Sequence, residues 1–283
     1  MSTTARAILS VRWGPLASRK LLIAPGTAIR VGRGEPADFV VPHDPKMDAV
    51  HFEVRWDGEA CVIRDLGSAD GTTLEGAAIT EAVAPHGAWI RAGDTVFMVH
   101  VEGRTARALP PDPPEIAAAK ERAMEALLAE QAPLFALLDA ARDDRILEIL
   151  RESPEEQRSL YEGAPGDGLA EVAPYLVALP RGSALIDRLV REGWGRSWGV
   201  FLASRRPLKE VRTHFRRLLM VSVDGGERRF YFRFYDPRVL RVFLPTCSVR
   251  QEEEMFGDRE IEGFLVEGER GEVLRFAPRG RAG

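Results

Sequence analysis

The segment "LPPDPPE" at residues 109–115 divides the chain into two parts that differ in hydrophobic periodicity. Because proline lacks a backbone N–H and fixes φ, four prolines in this segment exclude both a helix interior and a central strand there. We therefore predict that residues 103–114 form an extended, semi-rigid linker. This linker separates a domain at 1–102 from a second domain at 115–283, a division that suits the length of the chain.

The first domain consists of short apolar segments between turn signals. "ARAILSVRW", "VHFEVRW" and "TVFMVHV" have strand composition, and "APGT", "PHDP" and "SADG" supply the Gly, Pro and Asp residues that turns favour. Many short strands at close spacing are typical of an all-β sandwich.

The second domain starts with helical periodicity in "EIAAAKERAMEALLAEQ" and then alternates helices with strands. "SALIDRLVREG" is predicted to be a helix that ends at Gly193, and "WGVFLAS" to be the strand that follows it. A hairpin is predicted about Asp224-Gly225-Gly226, and a helix after it with Asp236 as N-cap and Pro237 at its first position. The sequence therefore predicts two domains, an all-β sandwich followed by an α+β domain with a helical start.

Composition excludes several classes of protein. A net charge of −4 gives no general attraction to nucleic acid or to an anionic membrane. No apolar run approaches the roughly 20 residues that span a bilayer, and the N-terminus lacks the apolar core of a signal peptide. Cys61 and Cys247 each lie in a strand-like stretch, which indicates buried thiols in a reducing compartment. The scattered histidines lack metal-ligand spacing, so we expect neither metal nor cofactor, and we expect the cytoplasm as the location.

Three fragments of the first domain belong together: "VGRG" (31–34), "MDAVHFEV" (47–54) and "DLGSADGTTLEG" (65–76). They resemble the motifs of the forkhead-associated (FHA) domain over roughly residues 8–101. The resemblance implies a β-sandwich whose loops at one end read phosphothreonine. It also implies that Arg33, Ser68 and Thr72 are phosphopeptide-binding residues and that His51 fixes the loops.

Two acidic residues depart from the FHA pattern. Asp48 replaces a serine that binds phosphate in the family, and Asp70 replaces the asparagine that holds the peptide backbone. An ionised Asp48 at about 4 Å from a phosphate would repel it by about 1–4 kcal/mol per charge pair. We therefore expect a docking module that does not depend on phosphothreonine. The alternative, a phosphothreonine-dependent regulator that binds a phosphorylated partner protein, stays open.

Two blocks of the second domain, "GWGRSWG" (193–199) and "RFYDPRVL" (233–240), occur in a fixed order. From about residue 133 onward the chain resembles the effector-loading adaptor (chaperone) domain of bacterial type VI secretion systems. The resemblance implies a cytoplasmic protein that is not an enzyme. Its partners would be a cognate effector toxin and the valine-glycine-repeat spike protein. From the net charge we expect neither nucleic acid nor membrane as a partner.

The segment "RRFYFRFYDPRVL" alternates in the manner of a strand. Phe230, Phe232 and Phe234 are predicted to face the core. The opposite face carries Tyr231, Arg233 and Tyr235, residue types that are enriched in interfaces. With Arg238 they are the candidate partner-binding residues, and an ordinary solvated or intramolecularly paired face is the alternative.

The letters of "GRSWG" (195–199) match G-x-S-x-G, the nucleophile elbow of serine hydrolases. An elbow has a strand before the serine and a helix after it, whereas the order predicted here is the reverse. His214 and Glu210, the downstream candidates for a base and its orienting acid, share one predicted helix. We therefore interpret Ser197 as a turn residue and expect no catalytic residue. The basic run "SRRPLKEVRTHFRR" that follows is predicted to be a solvated helix face or a patch for an acidic partner segment.

Overall fold

The computed structural model describes residues 5–12, 16–17, 19–105, 109, 111–161, 171–222, 229–257 and 260–279. Its chain forms two compact units. The first unit comprises residues 1–106 and the short segment 151–156, and the second comprises residues 107–150 and 157–283. Each unit has a hydrophobic core of its own. The bounds of the linker at 103–114 stay a prediction.

The first unit is a sandwich of two sheets. Its strands are β1 (Ala7–Val11), β2 (Lys20–Ile23), β3 (Thr27–Gly32), β4 (Phe39–Val40), β5 (Phe52–Trp56), β6 (Cys61–Asp65), β7 (Thr72–Leu74), β8 (Ala77–Ile79), β9 (Glu81–Ala84), β10 (Trp89–Ala92) and β11 (Thr95–Val101). One sheet has the order β2-β1-β11-β10-β7-β8 and the other the order β4-β3-β5-β6-β9. The predicted all-β sandwich is confirmed.

Strand alternation builds the core of this sandwich. In β5, Phe52, Val54 and Trp56 are buried while Arg55 between them is exposed. The same strand pairs with β6 so that Val54 faces Ile63 across the ladder. Alternate apolar positions on the two sheets thus meet in one buried layer.

The second unit is an α+β domain that starts with a helix, as predicted. Its helices are α1 (Pro114–Leu128), α2 (Asp144–Arg151), α3 (Ala184–Gly193), α4 (Leu208–Leu218), α5 (Pro237–Thr246) and α6 (Val249–Phe256), with a 3₁₀ turn at Ala140–Arg142. Its strands are β12 (Leu134–Asp139), β13 (Gln157–Ser159), β14 (Pro174–Leu179), β15 (Gly199–Ala203), β16 (Met220–Ser222), β17 (Arg229–Tyr231), β18 (Gly263–Glu267) and β19 (Val273–Phe276). Within the described part of the chain, no helix combines the length and hydrophobicity that crossing a membrane requires.

A six-stranded sheet lies at the centre of this unit, in the order β13-β14-β12-β15-β18-β19. Helices α1, α2 and α3 contribute to the core on one face, and α4, α5 and α6 to the core on the other. Every residue of β12 is buried, which explains the unbroken apolar run "LFALL". Strands β16 and β17 form a separate two-stranded sheet.

Local capping and turn residues set the ends of several elements. Ser183 caps α3 by accepting a hydrogen bond from the Leu185 amide, and Asp236 caps α5 in the same way for Arg238. The strands of the predicted hairpin pair with each other, while its turn at Asp224-Gly225-Gly226 lies outside the described residues. Both cysteines are buried and unpaired, as predicted, and burial raises the pKa of Cys61 to about 12.

A buried ion pair joins α2 to α3. Arg145 donates from Nε and Nη2 to the two carboxylate oxygens of Glu192, at 2.7 and 3.0 Å. A further bond from Nη1 reaches Glu148 at 3.0 Å. The Arg145 side chain is only 2% exposed, so these bonds replace nearly all of its hydration.

We predict that Arg145→Ala destabilises the protein by about 3–5 kcal/mol, because it removes both hydrogen bonds that Arg145 donates to the buried Glu192 carboxylate. Urea unfolding followed by circular dichroism measures this change. Arg191→Ala is the matched control, since Arg191 pairs with Asp187 at the surface of the same α3 and should change stability by less than about 1 kcal/mol. Equal losses in the two variants would contradict the prediction.

Candidate functional site

The three fragments that carry the FHA resemblance meet at one end of the first unit. The Arg33 amide donates to the Asp48 carbonyl at 2.8 Å, and the Leu66 amide donates to the His51 carbonyl at 3.0 Å. Backbone hydrogen bonds therefore hold the loop after β3, the loop before β5 and the loop after β6 against one another.

His51 fixes these loops from inside. It is fully buried, and its Nδ1 accepts a hydrogen bond from the Asp48 amide at 3.1 Å. The proton must then lie on Nε2, which donates to the Gly71 carbonyl at 3.1 Å. The imidazole thus acts as a structural bridge between two loops.

Ser68 and Thr72 are joined by one carboxylate, that of Asp65. Both hydroxyls donate to its Oδ1 at 2.6 Å, and the amides of Gly67 and Ser68 donate to its Oδ2. Burial raises the pKa of Asp65, but these hydrogen bonds outweigh that effect, so the pKa lies below its ordinary value. A hydroxyl has one proton to donate, so in this arrangement neither Ser68 nor Thr72 has one left for a phosphate.

The Asp48 carboxylate also accepts a hydrogen bond within these loops. Its Oδ2 accepts a hydrogen bond from the Ala69 amide at 2.7 Å. Arg33 is exposed, and no hydrogen bond or ion pair holds its guanidinium to any residue that the structure describes. The loop after β3 therefore offers the Arg33 guanidinium to a ligand, and the loops bonded to it carry the carboxylates of Asp48 and Asp70.

In the second unit, the two marker blocks meet at Asp139, the last residue of β12. The Asp139 amide donates to the Trp198 carbonyl at 2.8 Å, which ties it to "GWGRSWG". Its carboxylate accepts from Nη2 of Arg233 in "RFYDPRVL". Asp139 is only 1% exposed and was missed by sequence reasoning. It could have been noticed in the sequence as a single charged residue at the end of an otherwise apolar strand.

Asp236 is the second buried carboxylate of this cluster. Its carboxylate accepts hydrogen bonds from Nε and Nη2 of Arg238, at 2.9 and 2.6 Å. It also accepts one from the Arg238 amide and so caps α5. Nη2 of Arg233 lies 3.7 Å from its Oδ2. Burial raises the pKa of Asp236, but the bonds from Arg238 outweigh it and place the pKa below its ordinary value. Arg233 and Arg238 stay nearly half exposed, so each presents its outer edge to solvent.

The predicted strand face is wrong in two positions. Phe230 is 50% exposed, although it was assigned to the core, and Tyr235 is 3% exposed, although it was assigned to the surface. The strand ends at Tyr231, and the Asp236 amide then bonds to the Arg233 carbonyl in a turn that breaks the alternation. Tyr231, Arg233 and Arg238 therefore reach the surface and Tyr235 does not, which raises the pKa of Tyr235 to about 12.

The stretch "GWGRSWG" joins the end of α3 to the start of β15, in the helix-then-strand order that was predicted. The Glu267 carboxylate accepts from the amides of Gly195 and Ser197, at 2.6 and 2.8 Å, and from the Ser197 hydroxyl at 3.0 Å. Both Gly195 and Ser197 have a positive φ, of 88° and 58°. Burial raises the pKa of Glu267, and the same hydrogen bonds partly offset that effect.

The residues that were considered for a hydrolase triad form their polar contacts with other residues. The His214 ring bonds through Nε2 to the Met255 carbonyl at 3.0 Å, and Glu210 pairs with Arg206. The Ser197 hydroxyl bonds to Glu267 instead. Among the residues that the structure describes, no three His, Cys, Asp or Glu side chains are grouped as a metal site.

Comparison with known proteins covers both units. Residues 29–96 match the model of the FHA domain. The first unit contains an FHA domain. Residues 134–254, which include both marker blocks, match the family described as "Domain of unknown function (DUF4123)". The two matches lie in the order in which the two resemblances were predicted along the chain, and together they indicate a protein-interaction adaptor.

Proteins described by their FHA domains are similar to part of this chain. The protein FhaA of Mycobacterium tuberculosis is 37% identical over 71 residues, which are 25% of this chain and 13% of FhaA. A solved structure described by its phosphothreonine-dependent FHA domain interactions is 32% identical, covers 34% of this chain and 95% of that chain, and has a TM-score of 0.31. The FHA domain of a hypothetical Arabidopsis thaliana protein is 28% identical, covers 39% and 92%, and has a TM-score of 0.33.

We predict that Glu267→Ala lowers the free energy of unfolding by about 2–5 kcal/mol, because each amide left without an acceptor costs about 1–3 kcal/mol. Denaturant titration measures the loss. Glu269→Ala is the matched control, because Glu269 follows closely in the chain but is 81% exposed and should change stability little. If both variants were as stable as the natural protein, Glu267 would not hold the "GWGRSWG" turn.

Proposed function

We propose that this protein is a cytoplasmic adaptor that binds a cognate effector toxin of a type VI secretion system. It helps to load that toxin onto the valine-glycine-repeat spike protein and catalyses no reaction. One observation carries the proposal: the two blocks of the adaptor resemblance are built into one cluster around Asp139. The buried carboxylates of that cluster hold Arg233 and Arg238 in place at the surface.

The surface of this cluster has the chemistry of a protein interface. Arginine and tyrosine are enriched among residues that contribute most to binding, and they are most effective when their geometry is fixed before the partner arrives. Arg233 and Arg238 are fixed by Asp139 and Asp236, and Tyr231 donates from its hydroxyl to the Tyr161 hydroxyl at 2.5 Å. Such a rigid polar surface supports recognition of a partner.

For the FHA domain we propose docking that does not require phosphothreonine. The support is the Asp48 carboxylate, which accepts a hydrogen bond from the Ala69 amide and adds negative charge to the loop that is hydrogen-bonded to the Arg33 backbone. The exposed guanidinium of Arg33 favours the second candidate, a phosphothreonine-dependent regulator. The FHA interactions of one solved relative depend on phosphothreonine.

A substitution at Asp48 separates the two candidates. We predict that the natural protein binds a phosphothreonine peptide no better than its unphosphorylated form. Asp48→Ser removes the carboxylate and should raise affinity for the phosphopeptide by roughly tenfold or more, as expected from about 1–4 kcal/mol of repulsion. Fluorescence anisotropy with a phosphothreonine peptide library measures both.

Asp57→Ser is the control for this prediction, because Asp57 accepts its hydrogen bonds from amides of the turn after β5, as far as the described residues are concerned. Selective, Arg33-dependent binding of phosphothreonine by the natural protein would instead establish the phosphothreonine-dependent regulator.

The adaptor function predicts a stable complex with a toxin encoded beside this chain. The tagged protein should co-elute with that toxin or with the spike protein, and deletion of its gene should abolish secretion of that toxin alone. Ser197→Ala should preserve secretion, because the Ser197 hydroxyl serves the Glu267 turn. Normal secretion in the deletion strain, with no co-elution, would overturn the proposal.

A further inference from the structure

The small sheet of β16 and β17 exposes an apolar surface. Met220 and Tyr231 face each other across this sheet and are both 42% exposed. The Tyr231 ring packs edge-to-face against Tyr161 at 6.1 Å between centroids. We name these three residues, Tyr161, Met220 and Tyr231, the hairpin patch.

Contacts outside the hairpin patch help to hold its strands in place. A two-stranded sheet is marginal by itself, so its base must be anchored. The Phe232 amide donates to the Leu219 carbonyl at 2.9 Å, and the Phe232 ring packs on Phe243 of α5 at 4.8 Å. The residues just beyond the two strands thus supply the anchor, and Met220 and Tyr231 are left at the surface.

Positive charge lies next to the hairpin patch. Arg212 and Arg216 of α4 donate to main-chain carbonyls of residues 159–161, which places this basic helix against the segment that carries Tyr161. Arg217 precedes Met220 by three residues and is exposed, and no hydrogen bond or ion pair joins its side chain to a described residue. Helix α4 carries four basic residues and one acidic residue, Glu210, whose carboxylate pairs with Arg206.

We propose that the hairpin patch is the docking surface for an acidic amphipathic segment of the effector toxin. Apolar side chains of that segment would cover Met220 and Tyr231, and its carboxylates would pair with the basic side chains of α4. Tyrosine, methionine and arginine are the residues that interface cores favour, and opposite charges at the rim speed association. The inference rests on the proposed adaptor function and identifies the surface to which the toxin binds.

Calorimetry with the full chain and the purified toxin encoded beside it tests the apolar part. The double substitution Met220→Ser and Tyr231→Ser should weaken binding by about 30-fold or more, the effect of losing interface anchors. Val249→Ser is the control, because Val249 is also exposed but lies on α6. Circular dichroism must show the same thermal midpoint for both variants, and Met220→Ser alone serves if the double variant unfolds.

A charge reversal tests the electrostatic part. Arg217→Glu should slow association, and the difference from the natural protein should shrink as salt is raised. Arg122→Glu is the control, because Arg122 is an exposed arginine of α1 whose side chain bonds no described residue. Hydrogen exchange should show protection at residues 220–222 and 229–231 when the toxin is added.

The outcomes distinguish the two proposals. If the natural protein binds the toxin and the patch variants bind it equally well, the docking surface is wrong and the adaptor function stands. If the natural protein does not bind the toxin, the adaptor function fails and the docking surface fails with it. A patch variant that converts a dimer of this chain to a monomer would assign the patch to a second copy and overturn the inference.

Discussion

The second unit depends on strand β12, which is covered on both faces. Its residues alternate between the two cores, with Leu134, Ala136 and Leu138 on one side and Phe135 and Leu137 on the other. The neighbouring strand must approach it closely, and a Cβ on Gly199 would lie 2.0 Å from the Leu137 carbonyl oxygen. Packing on both sides leaves no alternative register, so the strand end at Asp139 has a fixed position.

Buried carboxylates organise the irregular segments of both units. Asp65 accepts hydrogen bonds from the loop after β6, and Glu267 accepts them from the "GWGRSWG" turn. Asp236 caps the N-terminus of α5. Each accepts backbone or hydroxyl protons that would otherwise be buried without a partner. A carboxylate can serve in this way as an internal hydrogen-bond acceptor. The presence of an acidic residue in a motif therefore does not by itself identify a catalytic or binding residue. Ser197 illustrates the same point, since its hydroxyl completes a turn.

Sequence reasoning was reliable where the signal is local. The helix of residues 184–193, the strand that follows it and the caps at Ser183 and Asp236 depend on residues within a few positions of each other. Reasoning failed where a strand stops. Nothing in "RFYFRFYD" marks Tyr231 as its last strand residue, so Phe230 and Tyr235 were assigned to the wrong environments. Asp139 was missed because its partners, Trp198 and Arg233, are distant in sequence.

Residue patterns alone predict the division into a β-sandwich and an α+β domain, the three fragments of the FHA pattern and the two marker blocks. These features follow from periodicity, turn residues and motif spacing, which act over short distances along the chain. Which of these residues share a site depends on contacts between distant segments of the folded chain. Packing of β12 between its neighbours brings the two blocks together at Asp139. The contact of three loops brings the Asp48 carboxylate to the Ala69 amide. Neither arrangement can be predicted from the sequence, because hydrogen bonds between distant segments leave no periodic pattern in it.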